Sequence, residues 1–150
     1  MHQENLLLRS KDNDLDLKIA DFGFAAKSPA EDSLTTICGS PGYVSPEILL
    51  KVPYGTKTDC WSIGVIIFIL LGGYPPFQNP DQKKQFDNIK KGNYKFVDKY
   101  WGEVTEEAKD LIQSLLVVDP QKRMSAAAAL ENPWMQVEAE NLRRSSLLNN

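Results

Sequence analysis

The segment 61–71 constrains the fold more than any other part of the chain, because it has almost no polar side chains. Thr58 is expected to cap a helix here, Asp59 suits the positive end of the helix dipole, and Gly72-Gly73 should end the helix. A helix without a polar face is normally buried. We therefore predict a central helix over 56–71 around which the other helices pack. Its large apolar residues are Trp61, Ile63, Val65, Ile66, Ile67, Phe68, Ile69, Leu70 and Leu71.

The composition is that of a single globular domain. The chain has 150 residues, of which 42% are hydrophobic and 25% are charged. Its 17 Lys and Arg residues and 20 Asp and Glu residues leave a net charge of −3, which argues against binding to nucleic acid or to an anionic membrane. The two cysteines, Cys38 and Cys60, are too few for a disulfide framework, and no signal peptide is recognisable. We expect a reduced cytoplasmic or nuclear location.

The first residues have the pattern of a β-hairpin. A short apolar run covers 5–8, and Leu15, Leu17 and Ile19 alternate with polar residues, as in a strand with one buried face. The hairpin should end at Asp21-Phe22-Gly23. The next segment, 28–47, is rich in Pro, Gly, Ser and Thr, so we expect a long loop of the kind that is usually functional.

Helical patterns dominate after residue 46, so the predicted fold class is mostly α with a short β-hairpin. From Gln136 onward the sequence is polar, and we expect a frayed tail. Because the strands come almost first, we also expect that a preceding part is missing. The other predicted elements are a surface helix over Asp81–Lys91, a loop over Gly92–Tyr100, an amphipathic helix over Thr105–Leu116, and a helix over Ala126–Leu130 capped by Ser125.

Two oxygen-bearing side chains flank the predicted hairpin. Asn5 precedes the first strand and Asp21 follows the second, so the hairpin would return Asp21 to the side of Asn5. Amide and carboxylate oxygens are hard ligands, of the kind that Mg²⁺ takes together with phosphate oxygens and water. Gly23 would give the backbone freedom to turn after Asp21. The alternative is structural, with Asp21 closing the strand in an Asx turn.

Seven short motifs occur in one order over residues 3 to about 135. They are Glu4-Asn5-Leu6-Leu7-Leu8, Asp21-Phe22-Gly23, Gly39-Ser40-Pro41-Gly42-Tyr43-Val44-Ser45-Pro46-Glu47, Asp59-Cys60-Trp61-Ser62-Ile63-Gly64-Val65, Gly73-Tyr74-Pro75-Pro76-Phe77, Asp119-Pro120-Gln121-Lys122-Arg123 and Asn132-Pro133-Trp134. In this order and spacing the chain resembles the C-terminal lobe of a eukaryotic serine/threonine protein kinase, most of all in the calcium/calmodulin-dependent group. The resemblance implies a kinase-like C-terminal lobe over 1–135, an incomplete kinase fold without the N-terminal lobe, and a polar tail over 136–150.

The resemblance implies a role in nucleotide binding for residues of the hairpin region. Asn5 and Asp21 match the two metal-binding residues that face Mg-ATP. Leu7 matches the apolar residue beneath the adenine ring, and Phe22 matches a residue of an apolar spine whose position controls activity. ATP and Mg²⁺ are therefore the implied cofactors of the complete kinase, with weak or absent binding by this segment.

Other matches concern substrates and regulation. Glu4 matches an acidic residue that meets arginine of a protein substrate. Ser40 replaces a threonine whose hydroxyl contacts catalytic residues, and because serine keeps the hydroxyl, the match implies a protein substrate bearing Ser or Thr. Thr36 matches the activation-loop site of an upstream activating kinase, with Thr35 as the neighbouring candidate. An ordinary exposed loop threonine is the alternative for either. Calmodulin binding is unsupported, because Gln136–Asn150 contains only two basic residues.

Further matches are structural. Glu47 and Arg123 should form a buried ion pair, because the guanidinium fork fits a carboxylate. Asp59 should accept backbone hydrogen bonds from the catalytic loop, with a simple role at the helix N-terminus as the alternative. Cys38 lies beside Gly39 in the loop, and the sequence offers it no charged partner that would make its thiol reactive.

Several parts of a working kinase have no match. The 150 residues contain no glycine-rich phosphate loop, no strand lysine paired with a helix glutamate, and no His-Arg-Asp. The catalytic Asp would precede Met1, and His2 occupies the place of a phosphate-contacting Lys. We therefore expect an inactive fragment of an active kinase, in which Leu7 and Phe22 form an exposed apolar patch. The alternatives are a non-catalytic binding module built on the kinase lobe and a pseudokinase.

Overall fold

The computed structural model describes residues 2–10, 13–28, 30, 32–36 and 39–148, so the candidate thiol of Cys38 lies outside the described residues. In these ranges a 3-10 turn (Gln3–Asn5) and a two-stranded antiparallel hairpin precede seven helices. The prediction of a mostly helical chain with one short hairpin is confirmed. The elements are β1 (Leu6–Ser10), β2 (Asn13–Ile19), α1 (Pro46–Leu49), α2 (Lys57–Gly72), α3 (Gln82–Lys91), α4 (Asp98–Trp101), α5 (Glu106–Leu115), α6 (Ala126–Leu130) and α7 (Pro133–Leu148).

The strands β1 and β2 pair as the alternating pattern predicts. Leu6 lies opposite Ile19, and Leu8 lies opposite Leu17. Opposed residues share one face of a sheet, as do residues two apart, so these four side chains form one apolar face. Leu8, Leu17 and Ile19 are nevertheless exposed. The hairpin therefore has an apolar face that the described helices leave largely uncovered.

The helix α2 is the predicted central helix. Trp61, Val65 and Phe68 have no exposed surface, which agrees with the all-apolar pattern. Leu70 is the exception, because 68% of its surface is exposed and the helix is therefore not buried on every side. Gly73 ends the helix with a φ of 76° and donates its N–H to the carbonyl of Ile69, which is the left-handed termination that glycine favours.

The start of α2 differs from the prediction. The helix begins at Lys57, and Thr58 lies within its first turn instead of capping it. The Thr58 hydroxyl donates to Oε1 of Glu47 at 2.8 Å. The predicted cap at Thr58 is wrong, because the helix already begins at Lys57 and Thr56 occupies the capping position. Asp59 does lie in the first turn, as predicted.

Three other helices begin where their capping residues predict. Each cap uses a side-chain oxygen to accept a free N–H of the first turn. The pairs are Asp81 with Lys83 and Lys84 before α3, Thr105 with Ala108 before α5, and Ser125 with Ala128 before α6. The structure also confirms that the helical pattern resumes at Pro46, with α1.

Two predictions about irregular segments are wrong. The predicted loop over Gly92–Tyr100 contains the start of α4, at Asp98. The Tyr74 hydroxyl oxygen accepts the Val97 N–H before α4 and the ring N–H of Trp101 at its end, so it holds both ends of this short helix. The expected frayed tail after Gln136 is helical, because α7 continues through Leu148. Most residues of that segment are good helix formers, and polarity by itself does not end a helix. No helix in the described part of the chain is long and apolar enough to cross a membrane.

The predicted pair of Glu47 and Arg123 is present and completely buried. Nη1 and Nη2 of Arg123 donate to Oε1 and Oε2 of Glu47 at 2.7 Å and 2.8 Å. The guanidinium also lies over the ring of Trp61, at 5.2 Å from the ring centroid. The three guanidinium N–H groups that do not face Glu47 donate to the backbone carbonyls of Lys57, Val117 and Val118. All five guanidinium N–H groups therefore have acceptors.

This network sets the ionisation of Glu47. Burial by itself would raise the pKa of Glu47, but the hydrogen bonds and the positive charge of Arg123, together with the hydroxyl of Thr58, lower it below the ordinary value of 4.5. The carboxylate is thus kept charged in a dry site, where a charge without a partner would cost several kcal/mol. The pair joins the start of α1 to the connection between α5 and α6.

We expect that Arg123→Ala lowers the free energy of unfolding by about 3–5 kcal/mol, because it leaves the Glu47 carboxylate buried without its partner. The matched control is Lys122→Ala. Lys122 is the exposed neighbour of Arg123, and its Nζ lies 3.8 Å from Oδ2 of Asp119 in a surface ion pair. That control should change the free energy by less than about 0.5 kcal/mol. Urea unfolding followed by circular dichroism measures both, and equal midpoints for the two variants would contradict the prediction.

The lowered pKa of Glu47 also predicts a pH dependence of stability. A carboxyl group whose pKa is lower in the folded chain stabilises the fold above its unfolded pKa, and that contribution is lost as the pH falls through the folded pKa. The gap in unfolding free energy between the wild type and Glu47→Gln should therefore be largest at neutral pH and should shrink in acid, below the ordinary value of 4.5. A gap that stays constant or grows on acidification would refute this.

Candidate functional site

The candidate metal ligands lie at the open end of the hairpin. The Asn5 carbonyl accepts the N–H of Ala20 at 2.8 Å, immediately beyond the pair of Leu6 and Ile19. Asp21 is the next residue, so the backbones of Asn5 and Asp21 lie at the same end of the two strands. The backbone thus has the arrangement that the sequence predicts, while the ligand role of the two side chains stays a prediction.

Asp21 leaves the strand with an unusual backbone. Its φ is 58°, in the left-handed region, and its Oδ1 accepts the N–H of Gly23 at 3.2 Å, as in an Asx turn. The prediction that Gly23 supplies the turning freedom is wrong, because Asp21 itself adopts the left-handed conformation, which aspartate tolerates better than most residues. Gly23 instead permits a close approach, since a Cβ there would lie 3.1 Å from Asp21 Oδ1.

The donor set fits a metal ion that brings phosphate with it. Among the residues that the structure describes, no three His, Cys, Asp or Glu side chains lie close enough together to hold a metal ion. Asp21 is exposed, and only Oδ1 is engaged by Gly23. One carboxylate and one amide oxygen of Asn5 are hard donors that suit Mg²⁺ when phosphate oxygens and water complete its shell. They would not form a metal cage by themselves.

The apolar candidates Leu7 and Phe22 are exposed, which agrees with the exposed apolar patch predicted for them. Leu7 lies across from Lys18, on the opposite face of the hairpin from Leu8. Its exposed fraction is 51%, and that of Phe22 is 68%. Phe24 is exposed to a similar degree. Because Leu8 on the other face is also exposed, apolar surface is open on both faces of the hairpin and in the segment that follows it.

The candidate regulatory and substrate residues lie in a second group, on the segment before α1. Thr35 and Thr36 are exposed, and the carbonyl of Thr36 accepts the hydroxyl of Tyr54 at 2.6 Å. Ser40 is partly buried, and its carbonyl accepts the N–H of Tyr43 at 2.9 Å in a turn. In the described part of the chain, no hydrogen bond joins the Ser40 side chain to Asn5 or Asp21. Their proposed roles stay predictions.

Tyr43 links the N-terminal turn to this second group. Its ring centroid lies 5.7 Å from that of His2, and its carbonyl accepts the hydroxyl of Ser62 in α2 at 3.0 Å. Burial raises the pKa of the Tyr43 phenol, and the negative charge of Glu4 raises it further. Glu4 is exposed, with its Oε2 at 3.6 Å from Nδ1 of His2. The substrate-facing role of Glu4 stays a prediction.

Sequence reasoning missed two residues that organise this region. Tyr43 and Tyr54 each hold a candidate segment against the helices, Tyr43 through His2 and Tyr54 through Thr36. Tyr43 stands inside one of the recognised motifs, so its position was available as a signal. Tyr54 had no such signal, because its partners lie 18 and 20 residues earlier in an irregular loop. Asp59 is exposed in the first turn of α2, and its expected bonds to the catalytic loop stay a prediction.

Comparison with known families assigns the chain to a class. Residues 1–135 match the family model described as the protein kinase domain. The chain therefore belongs to the protein kinase domain family. The match covers nearly the same range as the recognised motifs, so the resemblance to a protein kinase is confirmed.

Two curated relatives define the group within that family. Myosin light chain kinase A of Dictyostelium discoideum is 46% identical over 138 residues, which are 92% of this chain and 47% of the relative. Calcium/calmodulin-dependent protein kinase type 1 of Macrobrachium nipponense is 47% identical over 147 residues, which are 95% of this chain and 42% of the relative. The chain thus spans less than half the length of these relatives. These similarities place the chain in the calmodulin-dependent group of the serine/threonine protein kinase family.

Proposed function

We propose that these 150 residues form the C-terminal lobe of an ATP-dependent kinase that phosphorylates protein serine and threonine. The observation that carries the proposal is the bond from the Ala20 N–H to the Asn5 carbonyl, at 2.8 Å, because it puts Asp21 beside Asn5 at the open end of the hairpin. The group identity and the matched range of 1–135 support it. The location we propose for such a protein is cytoplasmic or nuclear.

In this proposal the hairpin forms one wall of the nucleotide site. The Asp21 carboxylate and the Asn5 amide would hold Mg²⁺, which neutralises charge on the phosphates of ATP. Leu7 would lie against the adenine ring with its exposed surface. The Asx turn with Gly23 would fix the direction of the Asp21 carboxylate, because it holds one of the two oxygens in place.

We also propose that the 150-residue chain alone does not transfer phosphate. Phosphoryl transfer depends almost entirely on positioning and on charge stabilisation. The chain has no match to the glycine-rich loop, to the lysine that pairs with a helix glutamate, or to the catalytic Asp. Asn5 and Asp21 would then contact the metal without the groups that place the phosphate and the attacking hydroxyl.

The proposed partners follow from the same residues. A protein substrate would meet Glu4 and Ser40, and an upstream kinase would modify Thr36 or its neighbour Thr35, which are both exposed. The name of the Macrobrachium relative includes calcium and calmodulin. We do not assign calmodulin binding to this segment, because 136–150 has only two basic residues.

A second candidate is a non-catalytic binding module. The exposure of Phe22 and Phe24, at 68% and 74%, favours it, because large exposed aromatic side chains mark surfaces that another molecule covers. The two candidates differ in what covers these residues. A kinase would cover them with its own preceding lobe, whereas a binding module would cover them with another protein.

The first test is the activity of the chain itself. Purified chain with radiolabelled ATP, Mg²⁺ and a Ser/Thr peptide should incorporate no phosphate above the blank, because the phosphate-positioning groups are absent. Asp21→Asn and the matched control Asp87→Asn, an exposed aspartate of α3, should behave like the wild type. Incorporation that Asp21→Asn abolishes and Asp87→Asn preserves would show that the chain alone is active.

A second test restores the missing lobe. A chimera in which the preceding lobe of the Dictyostelium relative is joined ahead of Gln3 should incorporate phosphate. In that chimera Asp21→Asn should reduce the rate by about 100-fold or more, since it removes the charge that holds the metal, whereas Asp87→Asn should have no effect. A folded, ATP-binding chimera whose rate does not depend on Asp21 would overturn the proposed site.

A further inference from the structure

Tyr54 makes three hydrogen bonds to the segment that carries the candidate regulatory threonines. The Leu34 N–H donates to the Tyr54 carbonyl at 3.0 Å, and the Tyr54 N–H donates to the Leu34 carbonyl at 2.9 Å, which forms an isolated antiparallel bridge. The Tyr54 hydroxyl donates to the Thr36 carbonyl at 2.6 Å. Tyr54 itself is buried in the core. We call these three bonds the Tyr54 anchor.

Two further contacts fix the same stretch of backbone. The side chain of Leu34 is partly buried and packs against the hydrophobic core, which includes Tyr54 itself and Trp61 of α2. Two residues earlier, Oδ2 of Asp32 accepts a hydrogen bond from Nε2 of Gln121 at 3.2 Å. Contacts at residues 34 and 36 therefore fix the backbone on both sides of Thr35, and Asp32, with a φ of 53°, turns the chain just before them.

We propose that Tyr54 is the positioning residue for the Thr35–Thr36 pair, which it holds against the helical core with both side chains exposed. The anchor uses only backbone groups of Leu34 and Thr36. It therefore leaves the two threonine side chains free. The regulatory meaning of this arrangement rests on the proposed function of Thr36, whereas the anchor itself does not.

This arrangement suits a modification site. An enzyme that modifies a threonine must reach its hydroxyl on an accessible stretch of chain, and the anchor presents such a stretch in one place. A phosphate added at Thr36 would then occupy a fixed position relative to α2, because the carbonyl of the same residue is bonded to a buried side chain. Without the hydroxyl of Tyr54, the bridge to Leu34 would remain, but the Thr36 carbonyl would lose its bond to Tyr54.

The test uses Tyr54→Phe, which removes the hydroxyl and keeps the ring. Nuclear magnetic resonance should show the Leu34 amide exchanging about two- to tenfold faster, because one of the three bonds that hold the segment is lost. The carbonyl carbon resonance of Thr36 should move to higher field. The matched control is Tyr100→Phe, since Tyr100 is an exposed tyrosine of α4, and it should change neither signal. The amide of Ile112, a buried residue of α5, reports global unfolding.

Each result decides the proposal. Faster exchange at Leu34 with no change at Ile112 supports it, whereas no change at Leu34, or an equal increase at both amides, overturns it. If Tyr54→Phe does not fold, the wild-type chain answers the question: replacing the phenol proton by deuterium should shift the Thr36 carbonyl resonance, and no shift overturns the anchor. None of these measurements uses nucleotide or kinase activity, so a failed anchor and a failed kinase proposal give different results.

Discussion

The buried ion pair of Glu47 and Arg123 is the contact on which the arrangement of the helices depends. Its two residues are 76 positions apart, and it connects the start of α1 to the segment after α5. Every guanidinium donor has an acceptor, and Thr58 binds the same carboxylate. Neither charge can therefore move away without leaving the other buried and unpaired, which costs far more than a surface pair. The first turn of α2 is fixed by the same group of bonds.

The candidate residues fall into two groups, which differ in how firmly they are attached to this core. The segment before α1 is attached to the core by Tyr43 and Tyr54, whose bonds reach Ser62 and Thr36. The hairpin is held mainly by its own ladder, and its apolar face, including Leu8 and Ile19, remains exposed. The nucleotide wall that we propose is thus the part of the chain with the least support from the helices.

How well a feature could be predicted from the sequence depends on how far apart in the chain its residues lie. The caps at Asp81, Thr105 and Ser125 are local, since each oxygen serves an N–H two or three residues ahead, and the three helices that begin there were predicted correctly. The pairing of Glu47 with Arg123 has no local signal and was predicted only through the resemblance. The bond from Thr58 to Glu47 and the bridge from Tyr54 to Leu34 join residues that no pattern connects, so both were missed.

The structural role of Asp21 is compatible with the ligand role that we propose for it. Its left-handed backbone is an uncommon conformation for a residue with a side chain, and such conformations persist where the surrounding contacts favour them. Here the contact is the bond from the Gly23 N–H to Oδ1, which defines the Asx turn. Because that bond occupies one oxygen, it orients the carboxylate while the second oxygen stays available to a metal ion. The Asx turn is thus no alternative to the proposed metal site, since it gives the Asp21 carboxylate the fixed direction that a ligand beside Asn5 would need.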